Sequence, residues 1–385
     1  MAEEELLERI RLKDKFNKII DKYTYEYVKA NTKSKKNIIS YDLLSLSKIC
    51  TDYFSIFKFD LPWKNDEDLY EEQVEHYYKF IYNIIKNKDK YLKIFYSSMY
   101  NILSAGINNY KYYGKTCPRH KEKELDYIFC DFLNKFEPKA YQEYVKLIDS
   151  ENIFYAPLHG YNGIHHPFSM LNDNMIFLSS AYDNNIEFYR TLSHELGHAL
   201  EAILYLNSGK ERDLNNTFNS PFYEVSSSFM EYAYINYLLE NNIYKEEAKI
   251  LLHDYYIELL LNSIYSNIIC RITDIENVFD EELNIDIKEF NTYLTTLERN
   301  YNLYDMFVKD KVSLRDPFIY GFGQLFSIYM YDNYKKDPNY FKKEFSKSLL
   351  EYSQTEDMSS FERVGINYDE LVKGDTLKKV LTRNS

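Results

Sequence analysis

The chain has 385 residues, 45% of them hydrophobic and 17% aromatic, which is enough to bury a sizeable core. Forty-seven basic residues against 60 acidic leave a net charge of −13, which repels a phosphate backbone and argues against nucleic acid as a partner. The four cysteines, Cys50, Cys117, Cys130 and Cys270, form no CxxC pair, so they point to neither a cysteine zinc site nor a disulfide scaffold and fit a reducing compartment.

The N-terminus is acidic and lacks the apolar run of a secretory signal. No stretch approaches the roughly 18 apolar residues of a membrane span, so no membrane is expected and the expected location is the cytoplasm. Gly (10) and Pro (8) are scarce, which favours long helices over an all-β design with many turns. Residues 1–150 read as a helical N-terminal region of successive amphipathic helices. Between Asp68 and Lys86, for instance, Leu69, Val74, Tyr77, Phe80, Ile81 and Ile84 recur at helical spacing. A second region, 151–385, begins where the character changes. Pro157, Gly160, Gly163 and Pro167 crowd a loop, and a short strand is predicted over Met175–Ala181. Helices then resume over Ile186–Asn207, Pro221–Asn241, Lys245–Ile272, Ile287–Asn300 and Asp316–Lys336. The last carries Gly321 and Gly323, whose missing side chains allow another helix or a ligand to approach closely.

The first of these helices carries His194-Glu195-Leu196-Gly197-His198, an HExxH motif. Positions i and i+4 share a helical face, so both imidazoles address one metal. Glu195 is turned by about 100° from His194, placed to reach a metal-bound water without being a ligand. Phe188, Leu192, Leu196 and Ala199 supply a stripe to bury on a neighbouring face. A catalytic zinc needs three protein ligands and an open position. Downstream, Ser220 and Pro221 form a good helix start, and Glu224 in the next turn is the best-placed third ligand. Glu231 lies two turns on, about 10 Å along the axis. It reads as an ion pair or a solvent contact, or as a residue orienting a ligand histidine. Glu201 shares the face of His194 and is expected to be exposed. His159, His165 and His166 read as loop or substrate-channel residues, and His76, His120 and His253 as isolated.

Thr191–Ala199 and Glu224–Glu231 together resemble the two ligand-bearing helices of the oligoendopeptidase F and thimet oligopeptidase family of zinc peptidases. Tyr320–Phe326 is similar to the Tyr-x-Phe-Gly helix of the oligoendopeptidase branch, and Phe361–Asn367 to its C-terminal element. The resemblance covers residues from about Asn152 to the C-terminus and leaves the first 150 unmatched. Where the family carries a histidine and another tyrosine, Asp305 to Ile319 has neither. The resemblance implies one zinc ion (Zn2+) per chain, with Glu224 rather than Glu201 or Glu231 beside His194 and His198. It also implies Tyr320 as a donor to the substrate oxyanion.

The expected fold is therefore mainly α. A zincin-like helical catalytic region carries a small β-sheet beside the HExxH helix, and the helical N-terminal region forms the other wall of a substrate cleft. The expected function is metalloendopeptidase hydrolysis of internal bonds of short peptides, with Glu195 as general base and the substrate lying as an added strand along Met175–Ala181. Two alternatives stay open: a related HExxH zinc carboxypeptidase, and a zinc-binding protein of the same fold that has lost turnover.

Overall fold

Apolar residues at three- and four-residue spacing, with few glycines and prolines among them, make most of the described chain helical. The computed structural model describes residues 84, 87–106, 115–149, 153–155, 163–168, 173–178, 185–208, 220–272, 316–355 and 358–384. The helices predicted over Asp68–Lys86 and Ile287–Asn300 lie outside these residues save for Ile84, as do Cys50, His76 and His159. Most of residues 1–150, expected to form a cleft wall, lie outside them too.

The chain divides into two compact units. One takes Met1–Val74, Lys115–Glu211 and Ala233–Leu251, and the other Glu75–Gly114, Arg212–Tyr232 and Leu252–Ser385. Among the described residues the second unit begins with α1 (Lys88–Ser104). The first unit contains α2 (Glu122–Phe136), α3 (Pro138–Asp149), three strands and α4 (Ile186–Ser208). Helices α5 (Val225–Glu240) and α6 (Lys245–Ile272) contribute residues to both units. The second unit continues with α7 (Asp316–Lys336), α8 (Pro338–Thr355), a 3-10 helix (Met358–Val364), α9 (Tyr368–Lys373) and α10 (Asp375–Asn384).

In the first unit, α2 buries Leu125, Ile128, Phe129, Phe132, Leu133 and Phe136 along one face. Glu122 and Glu124 in its first turn and Lys135 in its last complement the helix dipole. Phe129 is the hub of an aromatic core, with ring centroids 5.1 Å from Tyr144, 5.2 Å from Tyr189 and 5.6 Å from Tyr234. Helix α4 packs on α2 and α3 and also on strands β2 and β3.

Strands β1 (Ile153–Tyr155), β2 (Gly163–Phe168) and β3 (Asp173–Leu178) form one sheet in the order β1-β3-β2. β3 pairs parallel with β1, Ile176 opposite Ile153, and antiparallel with β2, Ile176 opposite His165. This corrects the expectation of a substrate strand along Met175–Ala181 over Ile176–Leu178, while residues 179–181 lie outside the described residues. Over Ile176–Leu178 the strand is central, so its N–H and C=O groups are committed on both sides. It also corrects His165 and His166, which belong to β2 and not to a loop.

In the second unit the core is a phenylalanine cluster. Phe322 meets Phe95 at 4.7 Å and Phe222 at 5.3 Å between centroids, and Phe361 closes on Phe326 at 5.1 Å. Near the C-terminus Asn367 caps α9, its Oδ1 accepting from the N–H of Glu370 at 2.9 Å. Gly374 ends that helix at φ +68°, a conformation that favours glycine. Among the described residues, Cys117, Cys130 and Cys270 form no disulfide. No helix among the described residues is long and apolar enough to cross a membrane.

Candidate metal centre

Helix α4 opens where Asn185 Oδ1 accepts from the Phe188 N–H at 2.9 Å. Its stripe of Phe188, Leu192, Leu196 and Ala199 is buried as the pattern requires. That burial fixes the rotation of the helix and therefore the face on which the motif stands. His194 is half-buried, while Glu195 and His198 retain only 5% and 6% of their exposure. The two imidazole rings lie 5.3 Å apart, edge to face, as neighbours one turn apart must.

Glu224 stands at the entrance to α5. Ser220 Oγ accepts from the Phe222 N–H at 3.2 Å, and Tyr223 N–H reaches the Ser220 carbonyl at 3.3 Å. Pro221–Glu224 is thus a capped turn, and the α-helix itself starts at Val225, four residues later than the sequence implied. The Glu224 carbonyl accepts the helical N–H of Ser228 at 3.0 Å, which places Glu224 at the cap position. Its side chain is 4% exposed, and Ser227 Oγ donates to its Oε2 at 2.6 Å. Gly323 of α7 lies against the same peptide, where a Cβ would stand 2.5 Å from the Glu224 carbonyl oxygen. A glycine is therefore required for α7 to run this close to the turn. At Gly321 a Cβ would meet the Phe95 ring at 2.9 Å, so both glycines serve close approach.

Among the described residues, one group of His, Cys, Asp and Glu side chains is arranged to hold a metal ion. It comprises His194, His198 and Glu224, whose ligand atoms all lie within 4.8 Å of one another. Two imidazole nitrogens and one carboxylate oxygen are the donor set of a catalytic zinc, which uses three protein ligands and keeps a fourth position open. A carboxylate with so little exposure also gains from a cation beside it. The residues present thus fit the ion.

Glu201 and Glu231 are not members of the group. Glu201, expected to be exposed, is 0% exposed, and Glu231 at 6% is no solvent contact. Both corrections have one cause. α4 and α5 are enclosed on more than one face, since Val225–Ile235 is buried throughout, so a polar residue opposite the apolar stripe does not reach water. Tyr320 lies on α7 and is 38% exposed. His120, read as isolated, pairs with Glu247 at 2.7 Å and stacks on Tyr244. Two features were not legible in the sequence: Ser227, one of three consecutive serines that no pattern separates, and the specific partner of Gly323.

No protein-family model matches the sequence, and no curated protein matches it. Among solved structures, the chain is similar to one described as an oligoendopeptidase F from Bacillus anthracis str. Ames. The identity is 12%, the match covers 99% of this chain and 75% of that one, and the TM-score is 0.48. It is also similar to PZ peptidase A with an inhibitor, at 13% identity over 99% of this chain and 76% of that one, TM-score 0.48. These structural neighbours are peptidases; at such distance the chemistry rests on the residues of this chain.

Proposed function

We propose that the chain is a zinc-dependent metallopeptidase that hydrolyses internal bonds of short peptides. His194, His198 and Glu224 are its zinc ligands, Glu195 its general base and Tyr320 its oxyanion donor. The observation that carries this reading is the convergence of the three ligand atoms within 4.8 Å, with a buried glutamate adjacent in sequence to one of them. A structural zinc site is closed by four protein ligands and has no use for a general base. Three ligands and a neighbouring glutamate are the catalytic pattern.

When bound, zinc supplies Lewis acidity, lowering the pKa of water and polarising a carbonyl. Glu195 accepts the proton of the attacking water and passes it to the leaving amine, so one carboxylate serves as base and then acid. Its low exposure keeps bulk water from competing for that proton. The Tyr320 phenol, accessible on α7, donates a hydrogen bond to the charge that develops on the scissile carbonyl oxygen. Glu231 orients a ligand histidine.

The test is hydrolysis of a mixed pool of unstructured peptides by the purified protein, read by mass spectrometry, with Glu195→Gln and a chelator in parallel. Internal cleavage lost in both controls supports the endopeptidase. Release of single C-terminal residues shows a carboxypeptidase instead, and a zinc-loaded protein that cleaves nothing overturns the peptidase reading in favour of a zinc-binding protein.

A further inference from the structure

The contact between Ser227 and Glu224 deepens the metal reading, and any role for Ser227 rests on that reading. Ser227 is fully buried and Glu224 nearly so. The Ser227 hydroxyl faces two acceptors, the Glu224 carbonyl oxygen at 3.0 Å and the carboxylate Oε2 at 2.6 Å. A serine in the first turn of a helix often bonds back to a carbonyl three or four residues earlier, with no consequence beyond the helix. The distances decide between the two acceptors. An O–H···O− bond settles at about 2.5–2.7 Å and is about twice as strong as a neutral one, so the proton belongs to the carboxylate.

The main chain of Glu224 is held from the other side. Its carbonyl accepts the Ser228 N–H at 3.0 Å, and α7 closes on that carbonyl through Gly323, where a Cβ would come within 2.5 Å. Backbone and side chain of one acidic residue are thus restrained independently, by the turn and α7 for the first and by Ser227 for the second. A glutamate has several rotamers to lose on binding a cation, and fixing them beforehand lowers the cost of ligation.

We infer that Ser227 is a positioning residue for the metal site, its hydroxyl holding the Glu224 carboxylate through Oε2 in the orientation that ligates zinc. The role needs a donor at this position and no contact with substrate.

The experiment measures zinc affinity of the full chain by competition with a chromogenic chelator, for wild type, Ser227→Ala and Ser227→Thr, with Ser226→Ala as the neighbouring buried serine. Ser227→Ala is expected to weaken zinc by about tenfold to a hundredfold, the usual consequence of removing a hydrogen bond to a metal ligand. Ser227→Thr is expected to restore affinity, and Ser226→Ala to leave it unchanged. The loss must also vanish in a Glu224→Ala background, which a general loosening of the helix would not produce. Should Ser227→Ala fail to fold, Ser227→Thr against Ser227→Val gives the same comparison at matched volume. Wild-type affinity in Ser227→Ala, or equal affinities in the Thr and Val variants, overturns the inference while leaving the metal site in place. A wild-type protein that binds no zinc, or whose zinc survives His198→Ala, overturns the metal reading and this inference with it.

Discussion

Glu195 is buried beside a candidate ligand without belonging to the group of donors, so the two kinds of residue separate by mutation. Glu195→Gln is expected to lower kcat by about 10²–10⁴ with zinc content unchanged, as measured by peptide hydrolysis and metal analysis on one preparation; concurrent loss of zinc would make it a ligand instead. Tyr320 is 38% exposed, so Tyr320→Phe removes a donor without opening a core cavity. A loss of about 10²–10³ in kcat at unchanged KM is the signature of an interaction made only in the transition state. At this scale His194, Glu195 and His198 were legible because their relation is set by helical geometry within five residues. The burial of Glu201 and Glu231 was not, because exposure depends on what packs against the other face.

Among the elements, α7 is the most exacting, since two of its glycines mark close contacts. Gly323→Ala would set a methyl 2.5 Å from the Glu224 carbonyl oxygen, backbone that cannot rotate away. Overpacking of this kind costs about 1–3 kcal/mol, and a lowered melting temperature together with weaker zinc binding is the expected result. Gly321→Ala meets the edge of the Phe95 ring at 2.9 Å and should lower the melting temperature while leaving zinc affinity intact.

Another test belongs to the pairing of α2 with α5. Hydrogen bonds from Lys135 first, and from the Tyr237 hydroxyl second, hold the Asp131 carboxyl below its ordinary pKa. A depressed folded-state pKa means that the folded form binds its proton less readily, so the stabilisation is present above the unfolded pKa and lost as pH falls through the folded one. Asp131→Asn is expected to melt below wild type at neutral pH, with the gap closing in acid. A gap independent of pH would refute the charge as its cause. The helices over Lys245–Ile272 and Asp316–Lys336 were readable to the residue from the sequence. The start at Pro221 was not, because a capped turn and a first helical turn carry the same signals of serine, proline and acid.

For the whole molecule, a metal that binds only the folded chain adds stability by mass action, about 2.7 kcal/mol at a hundredfold excess over its dissociation constant. Chelation is therefore expected to lower the melting temperature of wild type, and His198→Ala to melt low with or without chelator. A wild-type transition insensitive to chelator and to added zinc would remove the ion from the account of this protein. The two units interleave along the chain, an arrangement that no shift of composition announces.

The helical class and the His194/His198 pair with Glu195 follow from the sequence by itself. Scarce glycine and proline with a 3.6-residue repeat, and an i to i+4 spacing, are local properties that hold whatever surrounds the helix. Tertiary structure alone decided that the carboxylate of Glu224, 26 residues beyond His198, stands within 4.8 Å of the histidines' ligand atoms. It also decided that β3 is a central strand and that, of three serines in a row, Ser227 holds the acid. Those are relations through space, set by which side chains the packing of helices and strands leaves facing one another.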